Sequence, residues 1–391
     1  MMMVMVMEMG TMWVVLVVVA IAGALLVLKN LNWWLYESKL GVKQYSLPPG
    51  DMGWPFIGNM WSFLRAFKSK DPDSFISSFV SRFGRTGMYK TLMFGNPSII
   101  VTTPETCKRV LTDDDKFTTG WPRSAIELIG KRSFISMAYE EHKRLRRLTS
   151  SSINGMEALS LYLTYIEKNV ISSLETWANL GQIEFLTEIR KLTFKIIMHI
   201  FLSSECEPVM EALEREYTAL NYGVRAMRIN IPGFAYHKAF KFPPEIFDVI
   251  RHITMWATFF LQKHPEYLQK AKAEQEEIVR RRPPTQKGLT LKEVREMDFL
   301  YKVIDETMRV ITFSLVVFRE AKSDVNINGY LIPKGWKALV WFRSVHLDPE
   351  IYPNPKEFNP YRFEQKNHNC PVRYLPHTRP IDNCLGRVKK C

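Results

Sequence analysis

Three groups of residues in this sequence have types and spacings that could do chemistry. Cys384 lies in the stretch LPHTRPIDNCLGR, residues 375–387, four residues past Pro380. As a thiolate it would be a metal ligand; otherwise it is a stray cysteine. Glu306 and Arg309, in DETMRV, are spaced i,i+3 and can pair on one helical face. The same Glu-x-x-Arg spacing recurs at Glu141–Arg144 and Glu277–Arg280, where a solvated surface pair is the plainer reading. The Glu306–Arg309 match is set apart by its downstream neighbours: Arg319 in FRE, a β-turn-β segment, then FNPYRF at 358–363 with Pro360, Arg362 and Phe363. The other cysteines are Cys107, Cys206, Cys370 and Cys391, five in all, with no Cys-x-x-Cys pair. That argues against a structural zinc site and a disulfide framework, and places the bulk of the chain in a reducing compartment.

The elements that must position these residues are mainly α-helical, with small sheets at both ends, an α+β class. PSIIVTT, residues 97–103, is rich in β-branched residues and reads as a strand. From about 104 to 310 the pattern is helical, clearest at 140–148, 157–180 and 266–282. Strands return within 324–341, where Asn328–Gly329 and Pro333–Lys334–Gly335 supply turns. The tail, 342–391, is rich in Pro and Asn and reads as irregular.

The amino-terminal stretch is more specific. Residues 10–28, GTMWVVLVVVAIAGALLVL, are uncharged and almost wholly apolar. As a helix they would span about 28 Å, close to the hydrocarbon thickness of a bilayer. Glu8 precedes the run; Lys29, Lys39 and Lys43 come after it, so the positive-inside rule places the body of the protein in the cytosol. Trp13, Trp33 and Trp34 stand where interfacial aromatics belong. The expected organisation is an anchor at 1–30, a linker and proline-rich hinge at 31–60, and a single large domain at 61–391. In the hinge, Pro48, Pro49, Gly50, Gly53 and Pro55 forbid a continuous helix. A net charge of +13 suits an anionic membrane surface or an acidic partner. With no zinc-finger spacing, RNA-binding signature or Gly-rich phosphate loop, no nucleic acid partner is expected.

Taken in order, the anchor, the hinge, the Glu-x-x-Arg helix and the Pro-x-Arg-Phe segment resemble a microsomal cytochrome P-450. The resemblance implies that fold, a haem b cofactor whose iron is the metal bound by Cys384, and a buried structural network of Glu306, Arg309 and Arg362. It implies electrons from NADPH, delivered by an NADPH–cytochrome P-450 reductase, and residence in the endoplasmic reticulum membrane as a single-pass protein. By position, EEHKRLRRL is similar to a helix that usually reads Trp-Lys-x-x-Arg, so His142 and Arg146 become haem-binding candidates; Arg319 matches a third basic residue of the haem pocket. Longer stretches, among them 50–69, 221–240, 309–322 and 328–350, are similar to plant members that oxidise a diterpenoid acid on the way to gibberellins. By family position, residues 121–134 would line the substrate pocket.

The chain also departs from the pattern. His377, Thr378 and Asp382 stand where the family's haem loop has Phe, Gly and a basic residue. No acid–threonine pair of the oxygen-activating helix is found, so no catalytic residue is identified. Around 238–266 the sequence passes straight into what resembles the carboxyl-terminal end of that helix, with most of a hundred residues expected to be missing. The helix after the cysteine is expected to be missing too. Three readings stay open: a haem-thiolate monooxygenase, a catalytically inactive truncated relative, and a membrane-anchored helical interaction protein without haem.

Overall fold

A computed structural model of the protein describes residues 30–129, 140–147, 156–202, 248–363 and 385–387, apart from positions 70, 146, 287, 313 and 314, together with residue 137 and a few positions between 18 and 28. The chain forms two compact units, residues 1–120 with 316–344, and residues 121–315 with 345–391.

The first unit holds the main sheet. Its strands are β1 (Met88–Met93), β2 (Asn96–Val101) and β3 (Phe117–Thr119), joined by β5 (Val316–Ala321) and β8 (Lys337–Trp341), in the order β1-β2-β8-β5-β3. Only the β2–β8 pair is parallel, with Ile100 opposite Leu339. The β1–β2 connection is Phe94–Gly95, both at positive φ, the geometry that matches the twist of a two-residue hairpin. The small hairpin of β6 (Val325–Ile327) and β7 (Tyr330–Ile332) turns at Asn328–Gly329 with φ of 51° and 84°, as the Asn-Gly dipeptide predicts. Helices α1 (Met60–Lys68), α2 (Asp73–Phe83) and α3 (Pro104–Thr112) belong to the same unit. Phe75 and Phe79 of α2 pack beside Trp341 and Tyr89, with Phe75 and Trp341 ring centroids 5.6 Å apart, and Leu92, Ile99 and Ile100 of the sheet are fully buried.

The amino-terminal linker is more ordered than its composition implies. Trp33–Glu37 form a π-helical turn and Ser38–Leu40 a 3₁₀ turn, stopped at Gly41 with φ 66°. The proline-rich hinge is fastened to the sheet: Lys90 N donates to Pro49 O, and Asp51 N to Lys90 O, both at 3.1 Å. Among the described residues no helix is long and apolar enough to cross a membrane. Most of the apolar run at 10–28 lies outside the described residues.

The second unit is helical. It contains α4 (Arg123–Ile129), α5 (Met156–Leu180), α6 (Phe185–Leu202), α7 (Asp248–Lys263), α8 (Pro265–Arg280), α9 (Leu291–Glu296) and α10 (Asp298–Ile311). Gly181 at φ 73° ends α5 and leads into β4 (Gln182–Glu184). Pro265 occupies the first turn of α8, where its missing N–H costs nothing. Phe299 and Val303 of α10 pack with Ala257 and Phe260 of α7, Ala271 of α8 and Phe358. The Phe260 and Phe358 rings stack at 4.2 Å. β9 (Leu385–Arg387) pairs antiparallel with β4, Gly386 opposite Ile183.

Candidate functional site

The chemistry-bearing residues that the structure describes best are on α10 and just beyond it. Phe299 and Val303 pack in the Phe260–Phe358 cluster, and Glu306 and Arg309, further along the helix, are held in a fully enclosed polar site, at 0% and 3% exposure. Both Glu306 carboxylate oxygens accept from Arg309, Oε2 from Nε and Oε1 from Nη2, each at 2.7 Å. Such a bidentate pair holds the guanidinium plane in one orientation. Arg309 Nη1 then donates to His346 O at 2.7 Å and Pro355 O at 2.8 Å, and Nη2 to Glu357 O at 3.2 Å. The guanidinium also lies 4.9 Å from the Tyr352 ring centre.

Arg362, on the 3₁₀ turn Pro360–Phe363, closes the network from the far side. Its Nε donates to Glu306 Oε1 at 3.2 Å, and its Nη2 to Asn354 O at 2.8 Å; Nη1 donates to Pro353 O. Asn359 N gives Glu306 Oε1 a further bond of 2.9 Å. The carboxylate and two guanidiniums therefore pin the irregular segment 353–362 by its own carbonyls. Burying these charges is tolerable only because every partner is present. The other two Glu-x-x-Arg matches differ: Glu277 and Arg280 pair at the surface, 37% and 76% exposed, and Glu141 and Arg144 are exposed.

Arg319 sits on β5 in the other unit. Its Nη2 donates to Asp114 Oδ1 at 2.6 Å and to Phe117 O at 3.1 Å. Its Nε is buried without a hydrogen-bond partner among the described residues. Gly120 lies so close to this strand that a Cβ there would stand 2.4 Å from the Arg319 carbonyl. An unspent guanidinium N–H suits an anionic oxygen, so on this side the described residues fit a cofactor bearing carboxylates.

The remaining candidates are less completely placed. His142 is half-buried on a helical turn. Arg146 and Cys384 lie outside the described residues, as do His377, Thr378 and Asp382. Of the five cysteines only Cys107 is described; burial pushes its thiol up to about 12, so it is not a thiolate. Immediately after Cys384, residues 385–387 form strand β9. Nothing in the sequence points to Asp114 as the partner of Arg319, or to the carbonyls of His346, Pro353 and Pro355 as acceptors. Backbone acceptors carry no residue-type signal.

Comparison with known proteins gives the site its context. Ent-kaurenoic acid oxidase 2 of Arabidopsis thaliana is 50% identical over 479 residues, covering 97% of this chain and 98% of that protein. Ent-kaurenoic acid oxidase of Oryza sativa subsp. japonica is 42% identical, covering 97% and 96%. The 7,8-epoxymelianol synthase CYP88A154 of Ailanthus altissima is 42% identical, covering 93% of each. Among solved structures, retinoic acid bound cyanobacterial CYP120A1 superposes with a TM-score of 0.70 over 82% of each chain at 20% identity, which speaks to the fold alone. An alignment of 479 positions against a chain of 391 residues leaves at least 88 positions without a residue of this chain. The cytochrome P450 family profile matches in two pieces, residues 48–255 and 251–388, which meet in the first turns of α7. With the profile spanning most of its length and relatives at 50% identity, this chain belongs to the cytochrome P450 family of monooxygenases.

Proposed function

We propose that the chain is a haem-thiolate monooxygenase of the ent-kaurenoic acid oxidase type, acting on a diterpenoid acid in gibberellin biosynthesis. The observation that carries this is the 50% identity to ent-kaurenoic acid oxidases over nearly the whole chain. Haem b, when bound, supplies dioxygen activation: two electrons and two protons put one oxygen atom into a C–H bond and release the other as water. This chain's part is to hold and orient. Cys384 is proposed to present its sulfur to the iron. Arg319 Nε, together with Arg146 and His142, is proposed to meet the haem carboxylates. Glu306, Arg309 and Arg362 act one step removed, by fixing the segment that leads toward Cys384. Residues 121–134, including α4, are proposed to line an apolar substrate pocket, for which a rigid diterpenoid acid needs few polar anchors.

The remaining parts of the proposal are the anchor at 1–30, the hinge at 31–60 and the P-450 domain at 61–391, in the endoplasmic reticulum membrane with the domain facing the cytosol. NADPH is proposed as the electron source through a cytochrome P-450 reductase, for which the chain's positive charge suits an acidic surface. The test is turnover of ent-kaurenoic acid by the reconstituted full chain with reductase and NADPH. Oxidised diterpenoid product, absent without reductase, supports the proposal; no product from haem-loaded protein contradicts it.

A second reading, a catalytically inactive relative, is favoured by two observations. At least 88 aligned positions have no counterpart, and the profile match breaks at 251–255, where we propose the oxygen-activating helix was lost. In addition, Leu385–Arg387 pair with β4 as a strand and do not form the first turn of a helix that could stabilise a thiolate. Family membership removes the third reading, a helical scaffold of unrelated origin.

A further inference from the structure

We propose that Thr285 is the acceptor for an arginine-directed serine/threonine kinase, and that its phosphate competes with Glu293 for Arg282. The inference goes beyond the monooxygenase reading, from which only the cellular setting, the ATP-containing cytosol, is taken. Thr285 is exposed, in the loop 281–290 that joins α8 to α9. Arg280, Arg281 and Arg282 stand five, four and three residues before it, with only Pro283 and Pro284 between. Arg280 and Arg281 are exposed and share one carboxylate, that of Glu277, so two positive charges meet a single negative one. A kinase that selects basic residues ahead of its acceptor does so by charge complementarity, and this run supplies it.

The loop offers the hydroxyl at an outward corner. Gln286 N donates to Pro283 O at 3.0 Å, closing a β-turn with Pro284 at its first inner position, where proline is favoured, and Thr285 at its second. One carboxylate holds both flanks of the turn: Glu293 Oε1 accepts from Arg282 Nε, and Oε2 from Gln286 Nε2 at 2.8 Å. The far side of the loop is pinned to α5, where Glu167 accepts from Leu289 N at 3.1 Å. Pro283, Pro284 and Thr285 are left as an exposed tip on a fastened base.

Transfer joins the Thr285 hydroxyl oxygen to the γ-phosphorus of ATP as the bond to the bridging β-phosphate oxygen breaks. ADP leaves, and the hydroxyl proton passes to the kinase's base. The product carries nearly two negative charges and three acceptor oxygens, against one charge on Glu293. A turn keeps its ends within about 7 Å, inside the reach of an arginine side chain, so Arg282 can exchange the carboxylate for the phosphate. Glu293 then keeps its place in the capping box of α9, accepting from Thr290 N at 2.7 Å, but loses its counter-charge.

The test incubates the purified full chain, in detergent, with ATP and protein kinase B, an enzyme that selects arginine ahead of its acceptor. Fragment-ion mass spectrometry then locates the phosphate. Phosphate is expected on Thr285 of the folded chain, and its rate of incorporation there should fall about tenfold in Arg280→Gln/Arg281→Gln. No phosphate on Thr285, phosphate only on heat-denatured protein, or an unchanged rate in the arginine variant overturns the assignment. Glu293→Gln reports the competition for Arg282. Its loss in urea midpoint should shrink to about half once Thr285 is phosphorylated, because Arg282 has already left the carboxylate. Equal losses in the two forms overturn the exchange. Thr285→Val, carried through the same kinase treatment, subtracts the effect of phosphate elsewhere on the chain.

Discussion

At the residue scale the decisive group is Glu306. It is fully enclosed and accepts from Arg309, Arg362 and the Asn359 backbone, so its removal leaves two guanidiniums buried without their counter-charge. Breaking such a site from one side costs about 3–5 kcal/mol. Glu306→Ala is expected to lose that much in denaturant unfolding, whereas Glu277→Ala, at an exposed pair of identical spacing, should stay within about 0.5 kcal/mol. Equal losses would show that the enclosed network carries no special weight. Glu293 makes the corresponding case for pH. Desolvation pulls its carboxyl up, but Arg282 and the Thr290 backbone and hydroxyl outweigh it and bring it from 4.5 down to about 2. A depressed folded value means stability present above 4.5 and lost as pH falls toward 2. Glu293→Gln should therefore flatten the fall in stability between those values, read from urea midpoints; an unaltered slope would contradict it. Glu306 and Arg309 were legible only through the Arg319 and Pro-x-Arg-Phe segments downstream of them. The strand Leu385–Arg387 was not legible, because short edge pairing has no strong local signature.

At the scale of elements, the strands and turns of the first unit were the most readable part. β-branched residues at 97–103, Asn328–Gly329 and the Pro-Lys-Gly turn fall where the sheet needs them, as local chemistry dictates. The hinge was only half readable. Its prolines and glycines exclude a helix, but its fastening to β1 depends on partners about 40 residues away, which no local pattern encodes. The Gly58 contact measures that fastening. Gly58→Ala combines a left-handed backbone with a clash against Leu92 and should destabilise by roughly 1–3 kcal/mol. Gly329→Ala, with φ 84° but open space around the new Cβ, carries only the conformational cost and should lose less in the same thermal melt. If Gly329→Ala proved the worse of the two, the hinge would not be held by this close approach.

At the scale of the whole molecule, the chain matches its family over most of its length but not without interruption. The family profile covers residues 48–388 and relatives at 50% identity cover 97% of the chain, yet at least 88 aligned positions are skipped and the profile match breaks inside α7. The break was readable from the Phe-Pro-Pro-Glu sequence at 242–245, since two prolines cannot sit inside a long helix. Which of the two functional readings holds depends on one bond, that between Cys384 and iron. The reduced, carbon-monoxide-bound absorption spectrum of the full chain, recorded beside Cys384→Ser, measures it directly. The proposed haem-thiolate enzyme requires a thiolate-type Soret band that vanishes in the variant. Folded, detergent-soluble protein with no such band, or with a band that Cys384→Ser leaves unchanged, would contradict it.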